Sequence, residues 1–270
     1  MKIALFSDIH GNCIALEAVL ADVERQGGVD EYWVLGDLVA VGTQPIQVLE
    51  RLASLPTVRY TRGNTDRYIT EGHRPPPFPK TVESDLTKLP VFEEVALTMA
   101  WTQGAAIATG WMPFLKSLPL EQHLTLPDGS RLLGVHASPG EDNSRGIRPD
   151  YEAGEVQERF SGIDADIICV GHTHWPMNTH VEDEATGKHH VINLGSVGNP
   201  RVPHLEAWYV MLEVGSDGYQ ITHHAVAYDI DKSIQMVEDV QHPAGGFILK
   251  FLRGQRIYPF GESQLPSVTR

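Results

Sequence analysis

The stretch Ser7-Asp8-Ile9-His10-Gly11-Asn12 follows the apolar run Ile3-Ala4-Leu5-Phe6 and precedes a segment with helical periodicity. The apolar run predicts a buried strand, so Asp8 and His10 lie in a turn between a first strand and a first helix. In open α/β sheets, ligands bind at this edge. Asp8 and His10 are two residues apart, which in near-extended backbone directs both side chains to one side. A converging carboxylate and imidazole suit a transition metal ion, although Asp-x-His also occurs in solvated turns.

The same arrangement recurs along the first third of the chain. We predict helices over residues 13–26 and from residue 45, and strands over 32–35 and 57–61. Asp37 follows the second strand and Asn64 follows the third. Asp37 comes roughly 30 residues after Asp8, which is the size of one βαβ unit. The repetition predicts an α/β fold with polar groups gathered at the strand ends.

Residues 68–120 interrupt this pattern. The proline-rich run 75–79 is expected to be an extended surface segment, and helices are predicted over 91–108 and 112–118. We interpret the region as a helical insertion that flanks the site, with the proline run as the edge of a lid. Trp101 and Trp111 are interpreted as packing residues.

Strands resume after the insertion. A hairpin with Asp128-Gly129 at its turn joins predicted strands 124–126 and 131–135, and the second of these leads to His136. After a helix near 154–160, a buried strand over 166–170 opens into Gly171-His172-Thr173-His174, and residues 191–194 lead into a glycine-rich loop. Strands over 207–214 and 219–227 are expected to close a second sheet. The tail, residues 229–270, is predicted to hold one or two helices without an assigned chemistry.

The strand ends together carry metal-compatible side chains, which are Asp8, His10, Asp37, Asn64, His136, His172 and His174. This set is too large for one tetrahedral ion and suits two, with one carboxylate shared. Ligation by nitrogen and oxygen without thiolate predicts Mn, Fe, Zn or Co as the two divalent metal ions. Two such ions about 4 Å apart hold a phosphoryl oxygen and generate hydroxide from bound water.

Composition restricts the class of partner. The net charge of −14 over 270 residues argues against long nucleic acid as a ligand, because proteins that grip it carry basic stripes. It leaves a small phosphorylated substrate possible, because bound cations dominate the local field. No apolar run reaches membrane-spanning length. The two cysteines, Cys13 and Cys169, do not form a disulfide framework, so we expect a cytoplasmic protein.

The motifs SDIHGN, GDLV, GNTD, GVHAS, GHTH and NLGSVGNPR, in this order, resemble those of the calcineurin-like metallophosphoesterases, most closely the small bacterial and archaeal phosphodiesterases. The resemblance implies a single domain over residues 1–270, built as a four-layer α/β/β/α sandwich of two mixed sheets flanked by helices. It implies a first metal held by Asp8, His10 and His174, and a second held by Asn64, His136 and His172. It also implies that Asp37 bridges the two ions.

The resemblance further implies roles around the metals. Asn12, Ser196 and Arg201 would lie near the phosphate, and we add Thr65 to this substrate-binding group. Asp37, Asn64 and Asp66 are the expected catalytic residues. Arg201 has the forked guanidinium that suits phosphate, although most exposed arginines form surface ion pairs.

The third motif departs from the family pattern, in which a histidine thought to protonate the leaving group commonly follows the asparagine. Here the residue is Thr65, which is not a general acid near neutral pH. Either another residue, such as His73 or His204, supplies the proton, or the leaving group is weakly basic and needs none. We therefore expect hydrolysis of small phosphodiesters or phosphoanhydrides, such as nucleotides, by metal-bound hydroxide. The alternatives are a metal- or nucleotide-binding regulatory protein with little turnover, or a phosphomonoesterase or protein phosphatase.

Overall fold

The computed structural model describes residues 1–183 and 186–269 of the chain. The strands are β1 (Lys2–Phe6), β2 (Glu31–Leu35), β3 (Val58–Thr61), β4 (Glu121–Thr125), β5 (Arg131–Val135), β6 (Ile167–Val170), β7 (Met177–Asp183), β8 (Gly187–Asn193), β9 (Ala207–Gly215), β10 (Gly218–Val226) and β11 (Val268–Thr269). The helices are α1 (Cys13–Arg25), α2 (Pro45–Ala53), α3 (Asn64–Glu71), α4 (Pro79–Ser84), α5 (Leu89–Ala108), α6 (Met112–Ser117), α7 (Ala153–Phe160), α8 (Ile230–Asp239) and α9 (Gly245–Leu252).

The strands form two mixed sheets. In the first sheet, with order β11-β10-β9-β1-β2-β3, the neighbouring strands β1, β2 and β3 are parallel and β9 runs antiparallel to β1. In the second, with order β4-β5-β6-β8-β7, the parallel strands β5, β6 and β8 lie between two antiparallel edge strands. The parallel strands of each sheet therefore bring their carboxyl ends to one edge.

One assignment of strands to sheets was wrong. The predicted strands 207–214 and 219–227 exist as β9 and β10, but they extend the first sheet rather than close the second. Leu5 of β1 pairs with Val210 of β9 in an antiparallel ladder, and β10 pairs with β9. The physical reason is that alternation defines which face of a strand is buried but not which strand it pairs with.

The two sheets stack on each other and helices cover both outer faces, so the predicted four-layer α/β/β/α sandwich is confirmed. Ile3 and Leu5 of β1 face the second sheet and pack in the same cluster as Cys169 of β6. The alternate residues Ala4 and Phe6 face the opposite way, into the cluster that holds α1 and α2. The period of two along β1 thus fills both cores. A third cluster packs α7 against the second sheet.

The insertion and the tail meet on one side of the first sheet. The insertion contributes α4, α5 and α6, and Pro79 begins α4 although the proline run was expected to be extended throughout. Val95 of α5 packs against Phe247 of α9, and the Trp101 ring lies against the His242 ring, with ring centroids 4.7 Å apart. The helical tail is therefore docked on the insertion. Across residues 1–183 and 186–269, no helix combines the length and apolarity that crossing a bilayer requires.

Gly134 of β5 allows the closest approach between the two sheets. A Cβ atom at this position would lie 2.8 Å from the Trp33 ring and 2.9 Å from a Leu35 methyl group. Both neighbours are fully buried, so neither ring nor methyl group has space to move away. The absence of a side chain at residue 134 is thus a condition for sheet packing.

We predict opposite effects from alanine at two glycines. Gly134→Ala overpacks the interface between the sheets and lowers the free energy of unfolding by about 1–3 kcal/mol. Gly104→Ala, in the exposed middle of α5 with open space around it, raises the free energy by about 0.5–1 kcal/mol by removing backbone entropy. Urea unfolding of both variants measures the difference, and equal midpoints would contradict the role given to Gly134.

Candidate metal centre

All the expected metal ligands lie at the joint edge where the parallel strands of both sheets end. Asp8 and His10 follow β1, Asp37 follows β2, and Asn64 opens α3 directly after β3. From the second sheet, His136 follows β5, and both His172 and His174 follow β6. All of them except the half-buried His172 are at most 8% exposed. Residues far apart in sequence thus form one buried polar cluster.

Asp8, His10 and His174 form the first group. The Nε2 atom of His174 lies 3.2 Å from Oδ1 of Asp8 and 3.1 Å from Nε2 of His10. The ligand atoms of all three residues lie within 4.8 Å of one another. One ion can therefore contact all three without a large rearrangement.

Asn64, His136 and His172 form the second group. The Asn64 Oδ1 atom lies 3.1 Å from Nε2 of His136 and 3.0 Å from Nδ1 of His172. Asp37 stands between the groups, because its Oδ2 atom is 3.6 Å from Nε2 of His10 and also 3.6 Å from Nε2 of His136. Its other oxygen accepts a hydrogen bond from the backbone N–H of Thr65.

Backbone carbonyls fix three of the four imidazoles. The Nδ1 atom of His10 donates to the Ala40 carbonyl at 2.8 Å, that of His136 to Leu35 at 2.8 Å, and that of His174 to Asn199 at 2.6 Å. A proton on Nδ1 leaves Nε2 as a lone pair directed into the cluster, which is the form that binds metals. The His172 ring has the opposite orientation, with its Nδ1 atom toward Asn64. Burial, and then the neighbouring His136, lower the pKa of His172 to about 4, so this ring is neutral at pH 7.

One oxygen of Asp8 is left for a cation. Oδ2 accepts hydrogen bonds from the Ser7 hydroxyl at 2.6 Å and from the His172 backbone N–H at 2.9 Å. Oδ1 is buried without a hydrogen-bond donor. Burial acts to raise the pKa of Asp8, whereas His174 and His10, when protonated, hold that pKa well below its ordinary value; when their Nε2 atoms carry no proton, a cation would have to supply this charge. A buried, ionised carboxylate whose inner oxygen lacks a donor fits a metal ligand.

The loops that carry the ligands are strained. Asp8, His10, Asp37, His172 and His174 all have φ between +49° and +68°, a region that side chains rarely occupy. A Cβ atom on Gly63 would lie 2.1 Å from the Asp37 carboxylate, so this loop also needs a glycine. Strain of this kind concentrates at functional sites.

Asp66, expected among the catalytic residues, lies beneath the Asp37 loop. Its fully buried carboxylate accepts hydrogen bonds from the backbone N–H groups of Asp37, Leu38 and Gly63 at 2.8 to 3.0 Å. Burial, followed by the Asp37 charge, raises its pKa to about 7. These contacts join two ligand-bearing loops, and the catalytic role of Asp66 stays a prediction.

Two residues expected to contact phosphate, Asn12 and Ser196, form hydrogen bonds within the protein instead. The Asn12 side chain caps α1 through the Ala15 N–H and donates to the Gly198 carbonyl at 3.3 Å. The Ser196 hydroxyl is fully buried, donates to the Asp8 carbonyl and accepts from the Asn199 N–H. Both residues tie the last loop to the first, and sequence motifs alone do not separate such contacts from contacts with a ligand.

Arg201 and Thr65 do line the pocket over the metal ligands, which has a volume of about 200 Å³. The Arg201 guanidinium lies 5.8 Å from the centre of the Phe251 ring and 5.3 Å from that of Tyr258. Its Nε atom is buried without a hydrogen-bond partner, and none of the described Asp or Glu residues lies within 4.0 Å of it. Among the described residues, Arg201 therefore does not form the surface ion pair considered for it. Its positive charge is available to an anion in the pocket.

Sequence reasoning missed the contribution of the tail to this pocket. Phe247 and Phe251 of α9 line it opposite the metal ligands, together with Pro75 and the α5 side chains Val95, Thr98 and Met99 of the insertion. The tail was expected to carry no chemistry, and its apolar residues resemble ordinary core positions. Asn199 was also missed, although it belongs to the quoted loop; its Oδ1 is buried without a partner at the pocket.

The remaining histidines lie elsewhere. His73 is bound to Glu71 and His204 to Glu262, and both are largely exposed; neither is among the pocket-lining residues. His189 and His223 are buried against backbone carbonyls, whereas their neighbours His190 and His224 point to the other faces of their strands and stack on His180 and Tyr209. Adjacent residues of one strand face opposite sides of the sheet, so neither pair converges on a common ligand.

Comparisons with known proteins agree with this geometry. The model of the calcineurin-like phosphoesterase superfamily domain matches residues 1–217. An uncharacterized protein of Methanocaldococcus jannaschii is 30% identical over 87% of this chain and 91% of its own length. A crystal structure of a metallophosphoesterase from Sphaerobacter thermophilus, 27% identical, superposes with a TM-score of 0.70 over 94% of this chain and 98% of its own.

A shorter match is to a relative with a named activity. The symmetrical bis(5'-nucleosyl)-tetraphosphatase of Pectobacterium atrosepticum is 40% identical over 70 residues, which are 26% of this chain and 25% of the relative. With the match over residues 1–217 and the clustered Asp and His side chains, the family is established. The chain belongs to the calcineurin-like phosphoesterase superfamily and is a metal-dependent phosphoric ester hydrolase.

Proposed function

We propose that the protein is a two-metal phosphoesterase that hydrolyses small phosphodiesters or phosphoanhydrides of the nucleotide type. The observation that carries this proposal is the position of Asp37, whose Oδ2 atom is equally far, at 3.6 Å, from a histidine of each ligand group. A carboxylate oxygen in that position is suited to bridge two ions. One group would comprise Asp8, His10 and His174, and the other Asn64, His136 and His172.

The donor set fits two transition metals. It contains imidazole nitrogens and carboxylate or amide oxygens but no thiolate, which favours Mn, Fe, Zn or Co. When bound, the two ions would neutralise charge on the phosphoryl group and lower the pKa of a water molecule that attacks it. The buried Asp8 oxygen without a donor supports a cation at this position.

The chain's own residues orient the phosphoryl group. Arg201 can approach a phosphoryl oxygen from the pocket wall, because Phe251 and Tyr258 hold its guanidinium and no described carboxylate neutralises it. Asn199 offers an amide at the same wall, and Thr65 a hydroxyl whose oxygen is buried without a partner. Asn12 and Ser196 act indirectly, by positioning Arg201, because their hydrogen bonds hold the loop that carries this residue.

The size of the pocket and the residue at position 65 support the substrate class. A volume of about 200 Å³ is below the roughly 300–1,000 Å³ of clefts that enclose drug-sized ligands, which favours a small reacting group. Among the described residues that line the pocket, none apart from the expected metal ligands is a titratable acid for a basic leaving group. A weakly basic leaving group, such as a nucleotide phosphate, departs without one.

The first prediction concerns the bridging carboxylate. Metal-loaded wild type should hydrolyse an activated phosphodiester and a dinucleoside tetraphosphate, whereas Asp37→Asn should lose at least about 100-fold in kcat/KM because the shared charge is removed. Metal content should fall in parallel, as measured by elemental analysis. The exposed Asp30→Asn is the control. Bound metal without turnover of either substrate would instead favour a metal- or nucleotide-binding regulatory protein. A preference for monoesters or phosphopeptides would favour a phosphomonoesterase or protein phosphatase.

The second prediction concerns Arg201. Arg201→Ala should raise the KM for the activated diester about tenfold with little change in kcat, because a phosphate contact that is equal in ground and transition states affects binding alone. Arg201→Lys should recover part of the loss, since charge is kept but the fork is not. The exposed Arg253→Ala should match wild type; an unchanged KM in Arg201→Ala would remove Arg201 from the phosphate site.

The third prediction concerns the leaving group. In wild type, hydrolysis should slow steeply as the pKa of the leaving alcohol rises across a series of aryl and alkyl esters. Thr65→His places a titratable ring at the pocket and should speed up the alkyl esters by about tenfold or more while leaving activated esters nearly unchanged. Thr65→Asn, which has no titratable group, should keep the steep dependence. Wild-type rates that do not depend on leaving-group pKa would contradict this interpretation.

A further inference from the structure

A second, larger cleft adjoins the metal pocket and has a different chemistry. It has a volume of about 540 Å³ and is lined by Arg67, Tyr68, Gly72, His73, Arg74, Pro77, Phe78, Pro79, Phe92 and Asn143. Its lining thus combines cationic side chains with three aromatic rings. Such a combination suits a ligand that is both anionic and aromatic.

The two pockets share the same structural elements, displaced by about one turn. On α3, Thr65 lines the metal pocket and Tyr68, three residues later, lines the cleft. On α5, Val95 lines the metal pocket and Phe92 lines the cleft. In the proline-rich run, Pro75 lines the metal pocket and Pro77 lines the cleft. One helical turn rises about 5.4 Å, so the cleft begins within a short reach of the metal ligands.

The charge of the cleft contrasts with the net charge of −14 of the whole chain. Arg62 and Arg67 share a single carboxylate, that of the buried Asp142, so this trio keeps one positive charge. Arg74 is exposed, and no Asp or Glu among the described residues pairs with it. Glu71 offsets part of this charge through His73 at 3.2 Å and Arg67 at 4.0 Å. The three arginines, set against the Asp142 and Glu71 carboxylates, leave one positive charge at the cleft.

Phe78 supplies a largely exposed aromatic surface. Its side chain is 53% exposed, which is unusual for phenylalanine, and it lies in the proline-rich run that limits its backbone freedom. The Tyr68 ring, by contrast, is buried beneath the Arg67 guanidinium at 4.9 Å. An exposed ring on a stiff segment is a surface on which a planar group can stack at low entropic cost.

We propose that this cleft binds the distal nucleotide of a substrate whose scissile phosphoryl group lies over the metals. Phe78 stacks on the base and Arg74 binds the distal phosphate. The natural substrate would then carry a nucleoside phosphate on each side of the scissile bond, as in dinucleoside polyphosphates. This inference rests on the proposed phosphoesterase function for its orientation, but the binding site itself is testable without catalysis.

Binding to the metal-free protein separates the two residues. Calorimetric titrations with ADP and with pyrophosphate should differ: Phe78→Ala should weaken ADP about tenfold and leave pyrophosphate unchanged, whereas Arg74→Ala should weaken both. The double variant Ile107→Ala with Lys116→Ala, which removes an exposed apolar and an exposed basic residue on α5 and α6, is the matched control. Equal ADP affinities in wild type and Phe78→Ala would overturn the proposal.

Kinetics then connects the cleft to the metals. In the metal-loaded protein, the double variant Arg74→Ala with Phe78→Ala should raise the KM for a dinucleoside tetraphosphate at least tenfold but leave the KM for an activated small diester unchanged. An equal change for both substrates would contradict the proposal while the phosphoesterase function stands. Loss of ADP binding in Phe78→Ala, in a protein that hydrolyses nothing, would keep the cleft and refute the phosphoesterase.

Discussion

The arrangement of the whole site depends on burying two carboxylates, Asp8 and Asp37, in one small volume. Asp8 is fully buried and Asp37 is 2% exposed, and among the described residues neither has a lysine or arginine partner. Removing such charges from water costs several kcal/mol each unless opposite charge compensates. The surrounding imidazoles present lone pairs, because carbonyls hold the protons of three rings on Nδ1. Bound cations would therefore compensate the buried charge of these carboxylates as well as serve the proposed reaction.

The same constraint explains how the two sheets are joined at their edge. The His136 ring, from the second sheet, donates to the Leu35 carbonyl of the first, and Asp8 of the first accepts from the His172 N–H of the second. A Cβ atom on Gly171 would lie 2.3 Å from the Ser7 hydroxyl, which measures how closely the loops approach. Loops in the left-handed region persist because these cross-connections determine their positions. The contacts that join the two sheets are thus the same contacts that position the site, so a substitution that alters the sheet packing should also displace the site residues.

The clustering of the expected metal ligands was predictable from the sequence because each of them is a local feature: a polar residue directly after an apolar strand, such as Asp37 or His136. It did not predict that β9 and β10 join the first sheet, because pairing partners are a property of tertiary contacts. For Asn12 and Ser196, residue type permits a bond to phosphate or to backbone, and only coordinates distinguish them. Phe247 and Phe251 have the spacing of ordinary core residues, so their place at the pocket depends on where α9 docks.

The acidic composition does not conflict with an anionic substrate, because net charge and local charge act over different distances. At physiological ionic strength, exposed charges are screened beyond about 8 Å, whereas partly buried groups in a pocket are screened much less. Arg201 faces the metal pocket without a described carboxylate partner, and Arg62 and Arg67 share one acid beside the neighbouring cleft. The expected metal ligands lie at the strand ends, and α3, α5 and α9 contribute aromatic and cationic side chains around them. Because α5 belongs to the insertion and α9 to the tail, and neither helix carries an expected ligand, we expect that selectivity can vary there without disturbing the ligands.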